Sequence, residues 1–431
     1  MPGTTLIQLV SEQAMPNLLA AMAIHPGRIV HLCTDTPAVR EGSASLCRAY
    51  KASGLHAEIE EERLSPMPSM REVNNVVGRL LREDDKAVLN FTGGTKLMSI
   101  GAFAAALSCK RPSFYVDTVG NAFIDGHTAP GIDALFPNGD TSISQIKHAL
   151  SVPLVAIANG VERVGGGKAW EPFRPLASFL LENEKAATDA QAWAAKTLQS
   201  EPFDFMARKA WILQLYAQPL PDKLLSIADP AIAAELFERR DDGLFLHGRW
   251  KKPIESFEPG PDPKAFKNPM VVKAFRSCHE EAIFPLQFLQ GTWWEVAVAA
   301  YLAQRGDCRD IRWSVQAGAR NSDSTDMEED ILGIANGLNL LYVSCKLGGD
   351  RSKLSRFLEE TAASAKRVGG SFAHKVLAVC LRPKPYQWRQ LTGRAKELHV
   401  EIITREDLLA ASAPPVEPNA PAPSEPDSPN P

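Results

Sequence analysis

The stretch Ala87 to Phe103, AVLNFTGGTKLMSIGAF, constrains this chain more than any other. An apolar run leads into a Gly-Gly pair and then into a helical pattern. Ala87, Val88, Leu89 and Phe91 suit a strand buried on both faces, as central parallel strands are. Thr92, Gly93, Gly94 and Thr95 let the backbone turn sharply and leave amide N–H groups without helical partners at the start of a helix near Lys96. Those amides, the positive end of the helix dipole and the Lys96 ammonium all attract an anion, most naturally a phosphate. The spacing is not GxxxxGK[ST], so this is not the cradle of an ATP-binding loop. A strand-to-helix turn capped by Thr95 would account for the glycines alone. It leaves Lys96 opposing the dipole with no anion to offset it.

Strands and helices alternate up to this point: strand Thr5 to Val10, helix Pro16 to Ala23, strand Arg28 to Cys33, helix Pro37 to Ser53, strand His56 to Glu60, helix Ser69 to Arg82. That order predicts a doubly wound parallel sheet, whose ligands sit beyond the C-terminal strand ends where the strand order reverses. Ser11, Glu12 and Gln13 after the first strand, Thr34 to Thr36 after the second, and Thr92 to Lys96 after the fourth all reach that rim. The GxGxxG fingerprint is missing, which argues against a nicotinamide cofactor. Ser113 to Asp117 and Ala122 to Asp125 flank a Gly-Asn turn and predict a hairpin closing the sheet edge.

A chain of 431 residues has room for two or three domains, and 45% hydrophobic with 23% charged residues is ordinary for a globular protein. The net charge of −4 carries no global basic signal, so any nucleic-acid contact must come from a local patch. The 7 cysteines are scattered, with no CxxC pair, and read as reduced cytosolic thiols. No apolar run is long enough to span a bilayer, and MPGTTLIQLV lacks the basic flank of a signal peptide. The expectation is a cytoplasmic protein without membrane contact.

LVSEQAMPNLLAA, HLCT and LNFTGGTKLMSIGA follow one another at three strand ends. Together they resemble the sensor domain of the CARF-containing ancillary nucleases of type III CRISPR systems. The resemblance implies a homodimer whose paired Rossmann-like domains bind a cyclic oligoadenylate, above all the tetra-adenylate, across a two-fold axis. It implies ligand contacts from Ser11, Gln13, Thr34, Thr92, Gly93, Gly94, Thr95, Lys96 and Met98, although Met98 better suits the core side of the helix.

The middle of the chain says least. Asn159 to Lys168, NGVERVGGGK, has a Gly run with no apolar strand leading into it and reads as a linker. Helical patterns around Glu171 to Leu198 and Phe203 to Tyr216 precede Gly243 to Lys252, which alternates apolar and polar residues and ends in bases. A helical unit followed by a basic strand pair is compatible with a winged helix. Arg239, Arg240, Arg249, Lys251 and Lys252 are interrupted by Asp241 and Asp242 and read as a solvated face.

The second informative region starts at GTWWEVAVAAYLAQ, Gly291 to Gln304. Trp294, Val298 and Tyr301 fall on one helical face, with Glu295 in the first turns. Asp310 to Gln316 reads as a strand, and DILGIA pairs with LLYVSCK across Asn336-Gly337. A helix from Ser352 to Val368, a strand from Lys375 to Leu381, a further helix, a strand from His399 to Thr404 and a last helix complete an α/β/α layer.

A helix Glu (Glu295), an Asp opening one strand (Asp330) and a Lys closing its partner (Lys346) resemble the constellation of the PD-(D/E)xK nucleases, which implies a restriction-endonuclease-like effector. Clustered carboxylates hold a hard divalent cation, Mg²⁺ or Mn²⁺, through oxygen. A Lys beside them orients an attacking water and stabilises charge on the phosphorane. Here Ser344 stands where the second acid belongs. Glu328 is the candidate substitute, because residues two apart on a strand share a face. Ser344 through a ligand water and Cys345 through its backbone oxygen complete the expected metal set of Glu328, Asp330, Ser344 and Cys345. The Cys345 thiol is expected to be small and buried, and Glu329 to be a solvent charge. Downstream, LSRFLEETAASAKRVGGSFAHKVLAV resembles the same nucleases, and Arg351, Lys353 and Arg356 are placed to meet phosphates.

The organisation expected is thus a CARF-like sensor over residues 1–150, a linker and winged-helix-compatible region over 151–285, the effector over 286–410 and a disordered Pro-rich tail over 411–431. The function expected is a metal-dependent endonuclease, switched on by a cyclic oligoadenylate, that cuts single-stranded RNA, single-stranded DNA or duplex DNA in antiviral defence. The rivals are a non-catalytic, ligand-gated nucleic-acid-binding regulator, and a nuclease answering another nucleotide signal.

Overall fold

The computed structural model describes residues 3–126, 131–136, 139–258, 268–318, 327–347, 353–380 and 385–412. They gather into two compact units, one of Met1–Glu171, Leu302–Ala378 and Pro383–Ile402, the other of Pro172–Tyr301, Val379–Arg382 and Ile403–Pro431.

The first unit opens with β1 (Thr5–Leu9), α1 (Met15–Ile24), β2 (Arg28–Thr34), α2 (Pro37–Ala52), β3 (Glu58–Leu64), α3 (Met70–Glu83), β4 (Ala87–Asn90), α4 (Lys96–Cys109), β5 (Ser113–Asp117) and β6 (Ala122–Asp125). The strands form a six-stranded sheet of order β3-β2-β1-β4-β5-β6. The first five run parallel, and β6 closes the edge antiparallel to β5. The chain works outward from β1 to β3 and then crosses back to β4, so the order reverses between β1 and β4. Alternation along β4 explains why it is apolar throughout. Ala87 and Leu89 enter one core with Ile7, Leu9 and residues of α3 and α4, while Val88 enters another with Leu6 and Val10.

After α5 (Ser144–Lys147) and α6 (Val152–Ala158), a short β7 (Arg163–Val164) is followed much later by β10 (Cys308–Gly318), β11 (Met327–Ala335), β12 (Asn339–Lys346), α14 (Leu354–Gly369), β13 (His374–Val379), α15 (Pro385–Leu398) and β14 (Val400–Thr404), with α16 (Arg405–Ser412) last. A second six-stranded sheet has the order β14-β13-β12-β11-β10-β7. The stretch 159–168 is therefore not the linker its glycines suggest. Arg163 and Val164 pair with Gly318 and Ala317, and Lys168 bridges to Trp313, covering an edge of β10 that would otherwise be bare.

The two sheets of this unit share an interior. Val315, Leu332, Ile334 and Leu340 of the second sheet lie in the same cluster as Leu6, Val10 and Ile29 of the first. Helix α6 packs against α2 on one side and against β11 and β12 on the other. Each such leucine or isoleucine contributes about 1.5–3 kcal/mol by leaving water. Strand β10 bends to fit: Asp310 and Ser314 have φ of 49° and 54°, and the register slips between Arg309 and Arg312. The Asp310 carboxylate accepts from Val152 N at 2.6 Å at the start of α6.

The second unit is mostly helical: α7 (Arg174–Glu182), α8 (Glu184–Gln199), α9 (Phe205–Ala217), α10 (Ala228–Ala233), the pair β8 (Phe237–Arg240) and β9 (Gly243–Leu246), α11 (Lys252–Glu255), α12 (Pro269–Gln287), all but the last residues of α13 (Trp293–Gln304), and α16. A turn of π-helix, Phe288–Thr292, joins α12 to α13. The single apolar face predicted for α13 is too narrow: Trp293, Val296, Ala299 and Leu302 are buried as well as Trp294 and Val298. A helix apolar all round is a core helix. Four of the basic residues near the strand pair face carboxylates, Arg239 that of Asp229 at 3.7 Å, Lys251 that of Glu255 at 3.6 Å, and Arg240 and Arg249 those of Glu238 and Glu235. Among the described residues, no helix is long and apolar enough to cross a membrane.

Candidate functional site

Because β1 and β4 lie side by side with Gln8 opposite Asn90, the loops that leave them emerge together at the strand-order reversal. The turn after β4 can be built only with glycine at two positions. A Cβ on Gly93 would stand 2.0 Å from the Leu9 carbonyl oxygen, and Gly94 has φ of +76°. Thr95 caps α4, its hydroxyl accepting from Met98 N at 3.3 Å, and Ser99 Oγ donates to Gly93 O at 3.0 Å. The first turn of α4 holds no acidic residue, and Lys96, its first residue, is exposed together with Thr95 and Gln13.

The other expected contacts are less open than Thr95, Lys96 and Gln13. The Thr92 hydroxyl donates to Asn90 Oδ1 and accepts from Val116 N, each at 2.7 Å, so it staples β4 to β5. Ser11 is half-buried, its hydroxyl accepting from Gln13 N at 3.2 Å. Thr34 is 7% exposed and Met98 only 1%. Met98 lies under Gly94, on the helix side shared with Ala102 and Ala105, and supports the turn from within the core rather than facing outward.

The second site lies at one edge of the second sheet. Lys346 Nζ is 3.9 Å from Asp330 Oδ2, the Cys345 backbone N–H donates to the same oxygen at 2.6 Å, and the Ser344 hydroxyl also donates to Asp330. Burial pushes the Asp330 carboxyl above the usual range, the Lys346 ammonium and the Cys345 amide oppose that, and the charge of Glu328 adds to it. Lys346 Nζ also sits 5.5 Å from the centre of the Phe357 ring. Glu328, two residues before Asp330, is exposed, takes a hydrogen bond from Ser314 and lies 3.9 Å from Lys168 Nζ.

Glu329 is not a solvent charge. It is 3% exposed, turned to the opposite face of β11, and paired with Arg367 of α14. Strand alternation sends it inward, and the Arg367 guanidinium makes that tolerable. The Cys345 thiol is half-buried rather than enclosed. Glu295 belongs to the other unit, half-buried in the first turn of α13. Lys353 is exposed, Arg356 pairs with Glu360 within α14 at 2.6 Å, and Arg351 and the tail from residue 413 lie outside the described residues.

Among the described residues, no three His, Cys, Asp or Glu side chains form a closed cation cage. What the β11–β12 edge offers is two carboxylates, Asp330 and Glu328, with the Ser344 hydroxyl beside them. This all-oxygen, water-reaching set fits Mg²⁺ or Mn²⁺, which take one or two carboxylates and keep several waters.

Residues 5–129 match the family model of the Card1 CARF domain. They form a CARF domain. No curated protein sequence matches the chain. Among solved structures, the chain is similar to Can2 from Sulfobacillus thermosulfidooxidans in complex with cyclic tetra-adenylate, at a TM-score of 0.60 and 16% identity over 94% of this chain and 96% of that one. It is also similar to protein VC1899 from Vibrio cholerae, at a TM-score of 0.59 and 14% identity over 94% of this chain and 95% of that one. The fold is Can2-like.

The CARF sheet also holds functional candidates that sequence reading passed over. Gln8, Asn17, His31 and Asn90 are completely buried beneath the rim. For three of them a signal was available: Gln8, His31 and Asn90 are polar residues set among apolar neighbours in the strands TLIQL, RIVHLCT and AVLN, whereas Asn17 lies in helix α1. A polar side chain in such a strand must find partners inside the protein.

Proposed function

We propose that the chain binds a cyclic oligoadenylate at the rim of its CARF sheet and, once bound, hydrolyses phosphodiester bonds of nucleic acid at the β11–β12 edge, in type III CRISPR antiviral defence. The observation that carries the sensor half is the turn Gly93–Lys96, open at Thr95 and Lys96 and lying at the reversal of strand order in a CARF domain, with amides, helix dipole and an ammonium all favouring an anion. The Can2 structure holds cyclic tetra-adenylate, and that ligand is the first to try. Leu97, Ile100 and Leu107 form a ridge along the outside of α4, 55%, 53% and 54% exposed, beginning beside the turn. Such a stripe suits a second copy of the same chain, so that a symmetrical ring meets two turns.

The Asp330–Lys346 pair supports the catalytic half. Asp330 and Glu328 would hold a divalent cation, which when bound supplies Lewis acidity toward the scissile phosphate and an acidified water. Lys346 would then orient that water and meet the charge that builds on the phosphorus oxygens. Ser344, donating to Asp330, would keep that carboxylate aimed. Purified protein incubated with Mn²⁺, labelled RNA, single-stranded DNA and duplex DNA is expected to cleave only when cyclic tetra-adenylate is present. Lys346→Ala should lower the rate by roughly 10²–10³-fold, Asp330→Ala should abolish cleavage, Glu295→Gln tests the helix acid, and Lys96→Ala should remove the response to the ligand. Cleavage untouched by the Asp330 and Lys346 changes would end the nuclease reading.

One observation favours a second reading. Ser344 occupies the place of an acid, which suits a non-catalytic, ligand-gated regulator that binds nucleic acid. Ligand-dependent retention of duplex DNA in a gel, without cleavage by intact protein, would select it.

A further inference from the structure

Beneath the sensor turn runs a chain of buried polar side chains whose donors and acceptors can be ordered from end to end. The Thr92 backbone N–H can only donate, and it reaches Asn90 Oδ1 at 3.1 Å while the Thr92 hydroxyl reaches the same oxygen at 2.7 Å. The Asn90 carbonyl therefore faces the turn. Its amide nitrogen points the other way, 3.2 Å from Asn17 Oδ1, 3.3 Å from Gln8 Oε1 and 3.4 Å from the Pro16 carbonyl. Asn17 is fixed by the same logic, since its own amide donates to the Leu9 carbonyl at 3.0 Å. The Gln8 amide then donates to the Tyr50 hydroxyl at 3.0 Å, which leaves the tyrosine proton for His31 Nε2 at 3.2 Å. That makes Nε2 an acceptor and puts the imidazole proton on Nδ1, 2.9 Å from Ser43 Oγ, which in turn donates to Glu61 at 2.6 Å. Each link allows one orientation of the next, and a reversed amide would leave a buried group unpaired.

Asn90 stands at the junction. As the last residue of β4, it holds the turn that follows through Thr92, and it holds the loop after β1 through Pro16 and Asn17, at the start of α1. The Leu9 carbonyl that Asn17 secures is the atom that leaves no room for a side chain at Gly93. We propose that Asn90 is the positioning residue of the ligand site: with Asn17 and Gln8 it clasps the two loops flanking the strand-order reversal and presets the amides of the Gly-Gly turn before any anion arrives. The inference rests on the sensor reading above and adds the side chain that shapes the cradle. Alanine at this position releases both loops. Aspartate is isosteric and keeps the acceptor for Thr92, but turns an oxygen toward three other acceptors.

The test is hydrogen exchange on the full-length protein without ligand, followed by calorimetric titration with cyclic tetra-adenylate. Asn90→Ala and Asn90→Asp should each speed exchange of residues 92–95 and residues 11–14 together, and weaken binding about tenfold or more. Leu180→Ala in the helical unit, chosen to lower the melting temperature comparably, should change neither loop nor the affinity. If Asn90 variants do not fold, Asn17→Ala is read in the same way. Faster exchange confined to residues 92–95, or no change in either loop, overturns the clasp. A wild-type chain that binds no cyclic tetra-adenylate overturns the sensor reading instead, and the exchange rates of the free protein still decide the role of Asn90.

Discussion

His31 illustrates what enclosure does to one side chain here. Burial lowers its pKa from the ordinary 6.5 to about 4. Between those values the unfolded chain takes up a proton that the folded chain refuses, so stability is full above pH 6.5 and is lost as pH falls toward 4. The loss approaches roughly 3 kcal/mol. Urea unfolding at pH 7 and pH 4.5 should show it, and His31→Gln should flatten that part of the profile. The glycines of the turn differ in their demands. Gly94→Ala places a side chain at positive φ and should cost about 1–2 kcal/mol, whereas Gly93→Ala must displace the Leu9 carbonyl and should cost more, both read from melting curves. Thr95 and Lys96 were legible in the sequence because a cap and a helix start are written within a few neighbouring residues. Asn90, Gln8 and His31 were not, because their partners come from strands and helices distant along the chain.

At the level of elements, β11 shows the same contrast. Its alternation sends Glu328 and Asp330 to one face and Glu329 to the other, as a period of two requires. Sequence could not say that the second face was interior, since that depends on α14 bringing Arg367 across it. Arg367→Ala should destabilise the protein by about 2 kcal/mol by leaving the Glu329 charge buried and unpaired, while Glu329→Gln should cost less. On the other face, burial raises the Asp330 pKa. Over the interval between its unfolded and folded values the folded chain binds more proton, so this group removes stability as pH rises through it. Asp330→Asn should therefore raise the melting temperature at pH 7 in the absence of metal. Added Mn²⁺ should raise it for the wild type and leave the variant unchanged, by thermal shift. The Asn336-Gly337 hairpin and the β5–β6 hairpin were read directly from turn residues. Strand β7, only 2 residues long, carries no periodicity to read, and exists because β10 offers it an edge.

For the molecule as a whole, the α4 ridge makes a prediction about assembly. Ile100→Asp, in the middle of the ridge, should shift the sedimentation coefficient from that of a dimer toward that of a monomer and weaken cyclic tetra-adenylate binding with it. Alternating strands and helices made the first sheet legible, whereas the discontinuous first unit was not, since nothing in residues 1–171 announces that its interior will be completed by residues beyond 302. That completion bears on how the protein is made. A ribosome that has released only the N-terminal sheet has produced one wall of an interior whose other wall, with Leu332, Ile334 and Leu340, is still to be translated. The nascent CARF sheet must wait with a greasy face uncovered, a target for chaperones or for its neighbours on the same polysome, until β10 to β12 emerge.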